Sequence, residues 1–223
     1  MKQIPLPIGA AVARTFENFV VGSNAATLAH LGALEPGAAP VYLWGPSGCG
    51  KSHLVQALLR RQLDAGVKVA GFGAGDAAPW EHDEGWGIIV IDDCERLDAA
   101  QQHAAFTAFV RANASHTTLV AAGRVPPVDL PLREDLRSRL GWGHVMALQP
   151  LSEPEARAAL RREADRRGIL LSDDVMAFLL TRFARDLKSL FDLLDRIDAF
   201  ALANKRSVTI PLLRQMLTEQ EGA

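Results

Sequence analysis

The sequence predicts an α/β fold: a parallel five-stranded sheet sandwiched between helices, followed by a small all-helical domain. Three observations carry that expectation. Short apolar runs alternate with amphipathic stretches as far as residue 150, the order that builds a parallel sheet covered on both faces. Inside this region Gly45-Pro46-Ser47-Gly48-Cys49-Gly50-Lys51-Ser52 spells G-x-x-x-x-G-K-S between an apolar run and an amphipathic one. That is the strand, loop and helix order of a phosphate-binding loop. After Gln149 no β pattern returns.

The elements follow in order. Residues 1–15 read as an extended tail, because Pro5 and Pro7 remove backbone donors and push their neighbours away from helical geometry. Ser23 and Asn24 suit the N-cap of a helix running through Leu34. Strands are expected at 41–44, 67–72, 87–91, 117–122 and 144–148, with helices at 51–65, 99–113 and 132–140 between them. Ser152-Glu153-Pro154-Glu155 then opens the first of four helices, at 152–166, 172–184, 186–204 and 210–219. The domain plan is therefore a tail over 1–15, a nucleotide-binding α/β domain over 16–150 and a helical lid over 151–223.

Bulk properties narrow the function. A chain of 223 residues with 48% hydrophobic residues holds one or two domains and a substantial core. A net charge of −2 gives no electrostatic arm for duplex DNA. No signal-like segment opens the chain, and its apolar runs are too short to span a membrane. A disulfide between Cys49 and Cys94 would strain the phosphate loop, which points to free thiols in a reducing cytosol.

The loop's chemistry follows from its residue types. Glycines let successive N–H groups turn inward around phosphate oxygens, and the helix start adds partial positive charge. Lys51 suits the β- and γ-phosphates, and the Ser52 hydroxyl suits Mg²⁺. Ile88 to Ile91 form an apolar strand that ends in Asp92 and Asp93. This strand is expected beside the one that feeds the loop, with Asp92 orienting the Mg²⁺ shell and Asp93 facing an attacking water. A Glu is commoner in the second role, so slow intrinsic hydrolysis is expected.

These residues, with four further segments, resemble the DnaA-related AAA+ ATPases, specifically the Hda family of regulatory inactivators of DnaA. Phe16 to Asn24 is similar to the segment that packs around adenine, which implies a base pocket lined by Val20 and Val21. The resemblance implies ADP or ATP, with Mg²⁺, held by Gly45, Pro46, Ser47, Gly48, Cys49, Gly50, Lys51, Ser52 and His53. Glu134 to Gly143 resembles the arginine-finger segment, with Arg139 in the finger position for a partner's γ-phosphate. Arg185 to Leu190 resembles the start of the sensor-2 helix, where Lys188 stands in place of the usual Arg and cannot make the bidentate fork. Gly123, at the sensor-1 position, offers no side chain. Gln3-Ile4-Pro5-Leu6-Pro7-Ile8 resembles the hexapeptide that docks on the sliding clamp, the beta subunit of DNA polymerase III. Gln3, Ile4, Leu6, Pro7 and Ile8 are the implied contacts. A proline-stiffened segment of this kind loses little entropy on docking.

The resemblance implies a cytoplasmic, clamp-associated negative regulator of replication initiation that stimulates ATP hydrolysis by DnaA. It leaves a homodimer and the chain's own ATPase activity open. A helicase-loader-type ATPase acting on single-stranded DNA and a replication or transposition motor is the alternative. Against it stands the segment from Gly73 to Trp86, which carries Asp76, Glu81, Asp83 and Glu84 but no Lys or Arg. Trp80 and Trp86 are expected to pack under that loop rather than to stack on bases. The chain stops where the lid helices should end, so no sequence-specific DNA reader is expected.

Overall fold

A computed structural model describes residues 13–81, 83–183 and 186–221. The hexapeptide from Gln3 to Ile8 lies outside them. The described chain falls into two compact units, one over Ala13–Pro150 and one beginning at Leu151.

In the first unit the order is α1 (Ala25–Gly32), β1 (Val41–Trp44), α2 (Lys51–Asp64), β2 (Val69–Phe72), β3 (Ile88–Ile91), α3 (Ala99–Ala114), β4 (Thr118–Gly123), α4 (Glu134–Leu140) and β5 (His144–Ala147). The strands form a parallel five-stranded sheet in the order β2-β3-β4-β1-β5. The αβα architecture read from the sequence is the one observed.

The continuous apolar strands are explained by burial on both faces. Successive side chains alternate between two cores. Val41, Leu43, Ile88, Val90, Val120 and Ala122 join Leu31 of α1 and Leu54 and Leu58 of α2. Tyr42, Ile89, Ile91, Leu119 and Ala121 join Phe109 of α3 and Leu136 of α4 on the other side.

Two expectations need correction. The Asp92-bearing β3 does not lie beside β1, because β4 stands between them. At about 4.8 Å per strand, β3 is roughly 10 Å from the loop-bearing strand. An N-cap reading of Asn24 also fails in its chemistry. Asn24 holds the N-cap position of α1, which ends at Gly32, but its side chain makes no capping bond. Instead its amide donates to the Gln149 carbonyl at 2.9 Å, and its Oδ1 accepts the Gln149 N–H at 2.8 Å.

The loop between β2 and β3 folds back as expected. Trp80 stacks on Phe72 at 4.7 Å with planes 8° apart, and Trp86 packs against the same ring at 5.8 Å. Gln101 pins this loop to α3 by donating to the carbonyls of Ala74 and Asp76.

The second unit contains α5 (Glu153–Arg166), α6 (Asp173–Arg182), α7 (Leu187–Asn204) and α8 (Ile210–Glu221). Its helix starts are encoded locally. Glu155 accepts the Ser152 N–H at 2.8 Å, and Asp186 accepts the Ser189 N–H at 2.9 Å. Leu160, Met176, Leu179, Leu194, Ile197 and Leu213 fill its core.

Candidate nucleotide-binding site

The loop from Gly45 to Gly50 leaves β1 and enters α2. Gly50 takes φ +105° at the N-cap of α2 and Gly48 takes φ +79°, backbone that L side chains rarely adopt. Neighbours leave no room for a side chain either. A Cβ on Gly50 would sit 2.6 Å from Cε2 of Phe19, and one on Gly45 would sit 2.5 Å from the Leu148 carbonyl oxygen. No side chain caps α2, so its first N–H groups stay available to an anion.

Lys51 is buried to 8% exposure. Its ammonium donates to the carbonyls of Gly45 at 2.7 Å and Pro46 at 3.0 Å. The loop thus carries its cation at the mouth, held by its own backbone. Pro46, Ser47 and Gly48 are exposed, Cys49 is buried and Ser52 is half-buried in the first turn of α2. Uncapped N–H groups, left-handed glycines and a pre-placed ammonium fit a nucleotide's phosphates.

His53 ties the preceding segment to the loop. Its Nε2 is 2.8 Å from the Thr15 carbonyl, so that nitrogen carries the proton, and its ring packs edge-on against Phe19 at 5.3 Å. Burial lowers its pKa from the ordinary imidazole value, which favours this neutral form. Through these contacts residues 15–19 meet the start of α2, and half-buried Val20 and Val21 follow directly.

The acids lie further along the sheet. Asp92 accepts the N–H of Asp93 at 2.9 Å. Asp93 sits in left-handed backbone, φ +52°, and faces Arg96 at 3.7 Å. Among the described residues no group of three or more His, Cys, Asp or Glu side chains gathers in a metal-binding cluster. Ser52 and Asp92, the Mg²⁺ residues expected from the sequence, stand in the first turn of α2 and directly after β3.

Beyond β4 the sequence reading missed what occupies the space at Gly123. A Cβ there would lie 2.2 Å from the Tyr42 hydroxyl and 3.3 Å from Oε2 of Glu95. Tyr42, the chain's only tyrosine, donates that hydroxyl to the Val125 carbonyl at 2.9 Å. Both cysteines are free and buried, and burial pushes the Cys94 thiol well above its ordinary pKa.

Arg139 is half-buried on α4. Its guanidinium lies 4.8 Å from the Phe106 ring centre and 5.8 Å from that of Trp142, which is 63% exposed. Among the described residues no carboxylate pairs with Arg139. Neighbouring Arg133, by contrast, is paired with Asp135 at 2.7 Å. Lys188, in the second unit, is exposed and paired with Asp192 at 2.6 Å.

The fold and the loop define the class: this is an AAA+ protein. Residues 153–217 match the family model described as Hda, lid domain, and residues 11–70 match the bacterial DnaA ATPase domain. The chain is an Hda-like, DnaA-related AAA+ protein. Domain III of the Thermotoga maritima replication initiation protein DnaA aligns over 95% of this chain and 98% of its own, with TM-score 0.77 and 21% identity. AMPPCP-bound DnaA from Aquifex aeolicus aligns over 83% of this chain and 65% of its own, with TM-score 0.67 and 18% identity. The Thermotoga maritima RuvB branch-migration motor aligns over 80% and 60%, with TM-score 0.59 and 18% identity. The chain thus spans less than two thirds of the DnaA from Aquifex and of RuvB, and its likeness to these structures is one of fold.

Proposed function

We propose that this chain is a nucleotide-bound regulator of replication initiation that acts on DnaA and promotes hydrolysis of DnaA's ATP. The observation that carries this reading is the state of Arg139: a guanidinium resting on two aromatic faces, with no acid neutralising it, beside an exposed tryptophan. A salt-bridged arginine would have to break an ion pair before meeting a partner's phosphate. One held only by ring faces keeps its donor fork open to solvent. The Hda-type lid supports DnaA as the partner.

In this reading the chain's own loop organises the assembly. Lys51 neutralises the phosphates of ADP or ATP, the α2 N–H groups donate to their oxygens, and Val20 and Val21 border the base. Support for an adenine nucleotide comes from the DnaA fold-mate that holds AMPPCP. Ser52 and Asp92 would hold Mg²⁺, which supplies charge neutralisation when bound. Asp93 orients water, and its pairing with Arg96 suits slow turnover. The segment Gln3 to Ile8 attaches the protein to the DNA polymerase III sliding clamp and so to the nucleoid. Lys188 is a weaker phosphate contact. No described helix is long and apolar enough to cross a membrane.

The helicase-loader alternative loses support from the folded-back loop, since one face of Trp80 is taken up by Phe72. The test is hydrolysis of DnaA-held ATP with clamp, DNA and this protein present. Stimulation is expected to fall at least about 100-fold in Arg139→Ala, toward the loss seen when other NTPases lose their finger. Stimulation equal to that of the parent would sink the assignment.

A further inference from the structure

Two histidines meet at one edge of the first unit. His30 lies in the last turn of α1, and His144 opens β5, the strand at the end of the sheet. Their ring centres are 4.4 Å apart, with planes 59° from each other. Backbone fixes both carriers. The His144 N–H donates to the Pro40 carbonyl at 2.9 Å, and its Cα pairs with that of Val41 in β1. The other end of α1 is held by the two bonds between Asn24 and Gln149, which follows β5 closely in the chain. The rings therefore meet because α1 and β5 are anchored, and not as two loose side chains.

The contact leaves nitrogen lone pairs unused. Nε2 of His30 is buried and has no hydrogen-bond partner. His144 is exposed, and among the described residues its ring makes no hydrogen bond. Two neutral imidazoles can satisfy each other through one N–H···N bond, but these do not. Burial, and then the neighbouring His144, lower the His30 pKa from the ordinary imidazole value, which keeps the ring neutral near pH 7. An orphaned buried nitrogen is unfavourable, and a cation that accepts its lone pair relieves it.

The spacing suits such a cation. A metal–nitrogen bond of about 2.0–2.1 Å puts the ion roughly 3.2 Å from a ring centre, so centres 4.4 Å apart subtend about 90° there. That is the angle between adjacent ligands in tetragonal or octahedral coordination, whereas a tetrahedral ion needs a wider spread. Imidazole nitrogen selects Cu²⁺, Ni²⁺ or Zn²⁺ over Mg²⁺, which prefers oxygen. The pair is also remote from the phosphate loop. His144 stands level with Val41, the first residue of β1, and the loop leaves β1 after Trp44, the last.

We propose that His30 and His144 form a two-imidazole site for a divalent late first-row transition-metal ion, which clips the end of α1 to the edge strand β5. The exposure of His144 leaves the remaining coordination positions to water.

The experiment is calorimetric titration of the full chain, freed of nucleotide and Mg²⁺, with Ni²⁺ alone. One site is expected in the parent. Loss of either imidazole, in His30→Gln or His144→Gln, is expected to weaken Ni²⁺ about tenfold or more, since losing even a group that only supports a ligand costs this much. The exposed histidines His103 and His116 serve as controls, and His103→Gln and His116→Gln are expected to bind as the parent does. Saturating Ni²⁺ should raise the Tm of the parent and leave that of His144→Gln unchanged, because only a folded pair binds. Should His30→Gln fail to fold, His144→Gln, altered at an exposed ring, carries the test. A parent that takes up no Ni²⁺, a His144→Gln chain that binds as tightly as the parent, or equal losses in the two control variants would each overturn the proposal.

Discussion

The loop after β1 and the strand ends after β3 and β4 are specified in different ways. The loop is built by its own spelling. Left-handed glycines at 48 and 50 and a lysine that turns back on the carbonyls of Gly45 and Pro46 lie within eight consecutive positions. The end of β4 is built by residues brought from elsewhere: Tyr42 from β1, Glu95 from the turn after β3 and Val125 beyond the strand. A local motif can be read from sequence. A constellation assembled across three strands cannot, because no spacing in the chain encodes it.

Three substitutions or conditions probe that contrast. The largest effect is expected from Lys51→Ala, which removes the loop's cation and should weaken ADP at least about 100-fold. Unchanged affinity in calorimetry would show that the loop's spelling does not carry binding. Tyr42→Phe probes the assembled region. It strands the Val125 carbonyl and should cost about 1–2 kcal/mol in denaturant unfolding while ADP affinity stays within about twofold. A large loss of affinity would erase the distinction between the two regions.

The smallest effect concerns His53. Its pKa is lower in the fold than in the unfolded chain, so unfolding takes up protons on acidification. The contribution of His53 is present above the ordinary imidazole value, about 6.5, and is lost as pH falls below it. The drop in Tm between about pH 7.5 and about pH 5.5 should be smaller in His53→Gln, whose amide can still donate to Thr15 but cannot take a proton. An equal drop in both proteins would remove the imidazole from the account.

The sequence disclosed the sheet, the loop and the lid helices because each follows a local rule. Strand and helix positions come from apolar periodicity, and the lid starts come from Ser152 and Asp186, which meet their partners within three residues. Strand order did not follow. Nothing in Ile88 to Asp93 tells β3 that β4 will lie between it and β1, because a run apolar on both faces fits beside any neighbour. Asn24 misled for a related reason. Its residue type and position satisfy the rule for a cap, yet its amide has four hydrogen-bonding sites and Gln149, 125 positions away, answers to both its donor and its acceptor. Arg139 was legible only by resemblance. Its aromatic setting depends on Phe106 from another helix.

The Asn24 clasp fixes where this unit can be cut. One buried side chain near its start grips the backbone one residue before its last, Pro150. A fragment trimmed to Leu148 would leave that amide facing nothing, whereas one reaching Pro150 would keep the grip. Between a piece that holds its ends together and one that frays, the difference is two residues.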